Sequence, residues 1–302
     1  MELHQLTNNV YYFQSSVNIG YIRFTEREGM LIDAGLESQT MKKVLRKLDE
    51  KDLPLTHLFI THAHADHYGG ADHLHKNRKV FTMAPSFESA ILAEPMLEPL
   101  YLFHGTNPMA EWRNKFLEGK PVQVDLVLTE EGEVELGETK FTTIALPGHS
   151  YHQFGVIIND ILFASDAYFG KDIIHKHGIP YIVDAQLTIE TLEKIKKLPC
   201  SGAVPGHGSY ELDFIATIEE NIMVHHQVEA MLRDLISIEK AGIPFEQLVA
   251  KACLARKITI RNVPSYMLFR TAVTAYLTKL MKEQKVSFQV KDNQLMVESS
   301  FE

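Results

Sequence analysis

The sequence predicts an α/β protein with a helical tail, and two observations carry that expectation. Short apolar runs that read as strands, at 55–60, 154–158, 161–164 and 201–204, are interleaved with helix-period stretches such as 38–50 and 185–197, as far as about residue 207. Beyond that point the alternation stops. Residues 212–240, 245–256 and 265–284 carry long helical patterns, and 286–297 reads as a β-hairpin turning through Lys291-Asp292-Asn293. With 302 residues the chain is long enough for a core domain and a smaller one. The expected division is 1–215 and 216–302.

Taken in order, 10–33 holds two or three strands, around Tyr11-Tyr12-Phe13, Tyr21 to Phe24 and Met30-Leu31-Ile32. Residues 38–50 form a helix with Ser38 as N-cap and Met41, Val44, Leu45 and Leu48 on one face. The strand at 55–60 ends in Thr61-His62-Ala63-His64-Ala65-Asp66-His67-Tyr68-Gly69-Gly70, and 71–76 continues as a helix with His73 and His75 facing outward. A strand at 79–83 follows. Residues 84–121 break the rhythm, with Tyr101, Phe103, Trp112 and Phe116 among Met, Leu, Pro and Glu. Either a lid or a helical insertion filling its own core fits this stretch. Residues 124–146 read as strands broken by turns at Glu131-Gly132 and Gly137-Glu138, and Asp184 is placed to cap the helix at 185–197.

Composition removes several classes. Two cysteines, Cys200 and Cys253, imply no disulfide framework and read as buried small side chains. No basic segment followed by an apolar one opens the chain, and no apolar run reaches the roughly 20 residues of a membrane helix. The expectation is a cytoplasmic protein without a membrane partner. Net charge is −9, yet 251–291 holds nine basic residues and one acidic residue, Glu283. That stretch reads either as a solvated helix face or as a surface for a polyanion.

Three histidines and an aspartate within six residues, on a tight turn after a strand, are ligand chemistry for zinc and similar ions. The HxH spacing can bring two rings to one ion, and the Asp-His pair beyond it can face a second. HxHxDH followed by Gly-Gly resembles the signature of the metallo-β-lactamase-fold superfamily, over about residues 1–215. The later motifs of that family find matches in the family's order: His149 in Leu-Pro-Gly-His-Ser, Asp166 in Leu-Phe-Ala-Ser-Asp, and His207 in Val-Pro-Gly-His-Gly. The resemblance implies a four-layer αββα sandwich, with 84–121 over the mouth of the active site and Asp33 orienting the metal loop. The tail resembles the winged-helix module attached to some members, which can grip nucleic acid, dimerise or act as a lid.

The resemblance also implies a ligand set and a mechanism. One metal would take His62, His64 and His149, and the other Asp66, His67 and His207, with Asp166 bridging. Two Zn²⁺ are expected, iron or manganese being acceptable to the same ligands. A metal-bridging hydroxide would be the nucleophile, so Ser150 and Ser165 are not needed. Asp66 and Asp166 therefore count as catalytic as well as ligating. In related enzymes the loop after the bridging Asp touches substrate. That makes Tyr168 a candidate catalytic hydrogen-bond donor to an oxyanion and Lys171 a candidate for binding a substrate carboxylate or phosphate. His152 reads as a rim or supporting residue. The set resembles hydroxyacylglutathione hydrolases, lactonases and nucleases. It departs from true β-lactamases in its second site, and from the di-iron oxygen reductases in having His64 where they have Glu. The leading expectation is a dinuclear zinc hydrolase of a thioester, ester or lactone of a small acid. A phosphodiesterase or ribonuclease using the same metals is the alternative, and a winged-helix regulator with a ligand-sensing metallo-domain is the third. The expected partner is a small-molecule substrate, with nucleic acid at the basic tail and a homodimer left open.

Overall fold

The computed structural model describes residues 1–300. Its first sheet has seven strands in sequence order: β1 (Glu2–Gln5), β2 (Val10–Gln14), β3 (Ile19–Arg23), β4 (Gly29–Ile32), β5 (His57–Phe59), β6 (Phe81–Pro85) and β7 (Leu126–Leu128). The strands from β1 to β4 pair antiparallel, as short turns allow. From β4 to β7 they pair parallel, because helices carry the crossovers. These are α1 (Ser38–Glu50), α2 (Ala65–Tyr68), α3 (Ala71–Asn77), α4 (Ser86–Ala93) and α5 (Leu97–Leu102).

The second sheet runs β12-β11-β10-β9-β8, from β8 (Gly132–Leu136), β9 (Thr139–Ala145), β10 (Phe154–Ile158), β11 (Ile161–Ser165) and β12 (Gly202–Pro205). Between β11 and β12 lie α6 (Lys171–His177) and α7 (Ala185–Ile195). Alternate residues of the two sheets meet face to face: Tyr12, Ile22, Met30, Ile32 and Phe59 against Phe141, Phe154, Val156 and Phe163. On the outer face of the first sheet, Tyr21, Leu31 and Leu58 take Met41, Val44, Leu45 and Leu48 of α1. Burying each of those four side chains contributes roughly 1.5–3 kcal/mol. On the outer face of the second sheet, Leu146, Leu162 and Ala203 take Leu192 and Ile195 of α7. The result is the expected αββα layering.

The rest is α8 (Ile215–Ser237), β13 (Ile243–Pro244), α9 (Phe245–Ala255), α10 (Val263–Lys282), β14 (Val286–Lys291) and β15 (Gln294–Ser299). The hairpin turns through Asp292 and Asn293, both at positive φ, and β13 adds a third strand beside β15. Val228, Leu232 and Ile236 of α8 join α9, α10 and the hairpin in a second core, while Ile218 packs under the second sheet. No described helix is long and apolar enough to cross a membrane.

Several local expectations need correction. Ser38 is the first residue of α1, not its cap; the residue before it, Glu37, makes no capping bond and pairs instead with Lys115. β1 was not expected. His75 does not simply face outward: it is half-buried, and its Nε2 lies 2.9 Å from Thr82 Oγ1 of β6. The 84–121 segment is helical and has its own small core, in which Trp112 stacks on Phe103 at 5.0 Å. That core also packs on Met267 and Leu268 of α10.

Candidate metal centre

Every ligand-type residue singled out in the sequence follows the last residue of a strand. His62, His64, Asp66 and His67 come after β5, His149 after β9, Asp166 after β11 and His207 after β12. The backbone turns hard at two strand ends beside the site. Asp33, just past β4, and Ser165, the last residue of β11, both hold positive φ, at 65° and 50°. At Gly206 a Cβ would overlap Asp166 Oδ1, so only glycine leaves room for that carboxylate.

The folded chain brings the seven side chains into adjoining clusters. His62, His64 and His149 form one, Asp66, His67 and His207 another, and Asp166 groups with His62 and His67. His64 Nδ1 lies 3.0 Å from His62 Nε2 and 2.9 Å from His149 Nε2. Asp166 reaches both sides: Oδ1 is 3.3 Å from His67 Nε2, and Oδ2 is 3.5 Å from His149 Nε2 and 3.3 Å from His207 Nε2. Asp66 Oδ2 stands 3.4 Å from His207 Nε2.

The outward nitrogens fix the rings. His149 Nδ1 donates to Tyr181 O at 3.0 Å, His207 Nδ1 to Ser16 O at 2.6 Å, and His67 Nδ1 to Asp33 Oδ2 at 2.8 Å. With Nδ1 committed outward, each ring points Nε2 into the cluster. Asp33 Oδ1 also accepts from Thr61 N at 2.9 Å. It orients the loop and one of its rings, as the resemblance implied.

Protonation follows burial and charge. Burial lowers His62 well below the usual imidazole range, His64 to about 4 and His149 to about 3, so this trio presents neutral donors. Burial would also lower His67 and His207, but the carboxylates outweigh it. Asp166 and Asp66 raise both rings, His207 to about 10. Burial in turn would raise Asp66 and Asp166, yet the neighbouring rings hold Asp66 down at about 2 and Asp166 well below the carboxylate range.

This donor set fits divalent ions. Ligand nitrogens around one tetrahedral zinc lie about 3.3 Å apart, close to the spacings within the first trio. His67 Nε2 and Asp166 Oδ1 are buried and make no hydrogen bond among the described residues. A cation satisfies both, where their burial alone is costly.

Not every expected site residue is here. Tyr168 is 1 % exposed, packed with Leu146, Leu192 and Phe214, and its hydroxyl has no partner among the described residues. The ring is turned into the core beneath α8, so the oxyanion role expected of it is corrected to packing. Lys171 opens α6 directly after Gly170, whose N–H donates to His207 O at 2.8 Å; its side chain is exposed. His152 is exposed at the rim, 3.3 Å from Ser86 Oγ.

Other residues escaped the sequence reading. The ring of Tyr181 stands edge-on to His64 at 5.5 Å and to His149 at 5.8 Å. Phe169 lies 5.8 Å from His149 and 5.7 Å from His207. Its backbone is clamped by Asn221 of α8, which accepts from Phe169 N and donates to Phe169 O. None of these sits in a motif; only the meeting of distant elements reveals them.

An αββα sandwich with a His/Asp cluster at the ends of its strands fits a metallo-hydrolase. The chain belongs to the metallo-beta-lactamase superfamily, whose profile matches residues 13–207. It is 26 % identical over 253 residues to hydroxyacylglutathione hydrolase 1 of Vibrio vulnificus (strain YJ016), covering 80 % of this chain and 87 % of that one. To hydroxyacylglutathione hydrolase GloC of Haemophilus influenzae it is 28 % identical over 200 residues, 64 % of this chain and 86 % of the other. In fold it is similar to a metallo-beta-lactamase family protein from Thermus thermophilus, with a TM-score of 0.72 at 18 % identity over 98 % of this chain and 100 % of that one. The helical C-terminal part is therefore included in the shared fold.

Proposed function

We propose that this hydrolase works with two divalent ions, zinc foremost, on a thioester, ester or lactone of a small acid. The observation that carries the reading is the convergence of seven ligand-type side chains into adjoining clusters with Asp166 facing both. His62, His64 and His149 would hold one ion, and Asp66, His67 and His207 the other; iron or manganese would suit the same donors. Such ions supply a water acidic enough to be a nucleophile near neutral pH and stabilise the charge that develops on the attacked group.

The chain's own residues do the rest. Asp33 and the carbonyls of Tyr181 and Ser16 keep the rings in one orientation. The rings of Phe169 and Tyr181 wall the His149 side of the cluster. Lys171, exposed and without an ion pair among the described residues, follows Gly170, whose N–H bonds to His207 O, and is our candidate to meet a substrate carboxylate. Thioester chemistry is favoured by the two relatives, since hydroxyacylglutathione is itself a thioester.

The basic tail lends little support to a nucleic-acid substrate. Six of the nine basic residues in 251–291 already face carboxylates: Lys251, Arg270, Lys279, Lys282, Lys285 and Lys291. Turnover of zinc-loaded protein on an acyl thioester and on a phosphodiester, with Asp166→Ala as the blank, tests the reading. Thioester turnover is expected. Phosphodiester turnover alone, falling steeply with salt, would replace it with a nuclease.

A further inference from the structure

Helix α4 carries a carboxylate in a place where a carboxylate is costly. Glu88 is 0 % exposed. A buried anion loses several kcal/mol of hydration unless donors meet its oxygens. Three donors do so, and none belongs to the 84–121 segment that supplies Glu88. Ala63 N donates to Oε2 at 2.8 Å, while Ser150 Oγ at 2.5 Å and His152 N at 3.0 Å donate to Oε1. Ala63 lies between His62 and His64, and Ser150 follows His149. One side chain thus ties together the two loops that present the first histidine trio.

The tie answers a physical need. Three ring nitrogens carried by two separate loops have to stay 2.9–3.0 Å apart to receive one ion. Among the described residues, the backbone joins the two loops by one bond, from Phe154 N to Thr61 O at 3.1 Å. Charge-assisted hydrogen bonds are roughly twice as strong as neutral ones and hold such a spacing better.

We propose that Glu88 is a positioning residue of the metal centre: it sets the His62-Ala63-His64 loop against the His149 loop, so that three nitrogens stay in place to receive an ion. The proposal rests on the metallo-hydrolase reading above. It also fixes α4 to the centre, so any motion of the 84–121 segment has to begin beyond that helix.

The test is Co²⁺ binding to the full-length, metal-free chain, followed by chelator competition and by visible absorption. Wild type, Glu88→Gln and Ser150→Ala are compared. Glutamine keeps the size of the side chain but turns an NH₂ group toward N–H and O–H donors. The expected result for Glu88→Gln is a tenfold or greater loss of Co²⁺ affinity, within the 10–100-fold typical of residues that orient ligands, and a changed visible spectrum. The melting temperature of the metal-free protein should fall too, since buried donors lose an acceptor, and is read separately from affinity. Ser150→Ala, which removes one donor, should lose less. Wild-type affinity and spectrum in Glu88→Gln overturn the proposal, whether or not metal-free melting falls, because Glu88 would then only pack. If Glu88→Gln does not fold, unchanged affinity in Ser150→Ala overturns it instead. A wild-type chain that binds no Co²⁺ overturns the metallo-hydrolase reading itself, and this proposal with it.

Discussion

Asp33 accepts from Thr61 N and Thr61 Oγ1 on one oxygen and from His67 Nδ1 on the other, so a single carboxylate sets both the entry to the metal loop and the direction of one of its rings. Asp33→Asn keeps the size but brings N–H against N–H. Metal affinity measured by chelator competition should fall about 10–100-fold while circular dichroism stays as in wild type. Asp166 is a more severe case because it faces both clusters. Asp166→Ala should lose at least one metal equivalent by elemental analysis and abolish turnover; full metal content with full activity would remove the two-ion reading. At this scale the sequence was informative about which ligand-type side chains converge and poor about what supports them. HxHxDH and the three later motifs name seven side chains, because metal chemistry restricts residue type and spacing. Glu88 carries no such mark: in Ser86-Phe87-Glu88 it looks like any acidic residue in a first helical turn. Tyr168 misled for the opposite reason. Its chemistry suited the site and it stands two residues from Asp166, but its apolar ring is buried among Leu146, Leu192 and Phe214.

Helices were legible where one face is apolar and hard to assign where two faces are. α1 shows Met41, Val44, Leu45 and Leu48 at helical spacing against a polar remainder, and all four are buried. α8 packs on the second sheet through Ile218 and on the C-terminal core through Val228, Leu232 and Ile236, so its pattern reveals a helix without telling which layer it joins. Asp184 was legible as a cap, and its side chain accepts from Leu187 N at 3.0 Å. Asp184→Ala should cost about 1 kcal/mol in urea unfolding. A second consequence of α8 is pH dependence. His225 Nδ1 lies 2.7 Å from Tyr276 of α10, and burial, with His226 and His149 nearby, lowers its pKa to about 3. An unfolded histidine titrates near 6.5. The depressed folded value means the unfolded chain takes the proton first, so stability present above pH 6.5 is lost as pH falls toward 3. His225→Gln keeps a hydrogen bond to Tyr276 and does not titrate. Its urea midpoint should fall less between pH 7 and pH 5 than that of wild type, by up to about 2 kcal/mol in unfolding free energy. Parallel curves for the two proteins would rule this contribution out.

Across the molecule, the ligand-type side chains come from both sheets: His62 to His67 follow β5 of the first, and His149, Asp166 and His207 follow strands of the second. An ion held between them therefore cross-links the two halves of the sandwich, and unfolding must release it. Free metal at 100 times its Kd would stabilise the fold by about 2.7 kcal/mol per site. For a chain of this size that is roughly 5 °C in melting temperature. A chelator should lower the melting point of wild type by that order and leave Asp166→Ala much less affected. The shape of the transition carries further information. Because α8 takes part in the core under the second sheet and in the C-terminal core, separating the two would expose Ile218 on one side or Val228 and Leu232 on the other. Metal binding at the sandwich should for that reason raise the melting of both parts together, as one calorimetric transition. If the chelator moves only one of two resolved transitions, the C-terminal part melts independently and α8 does not couple them.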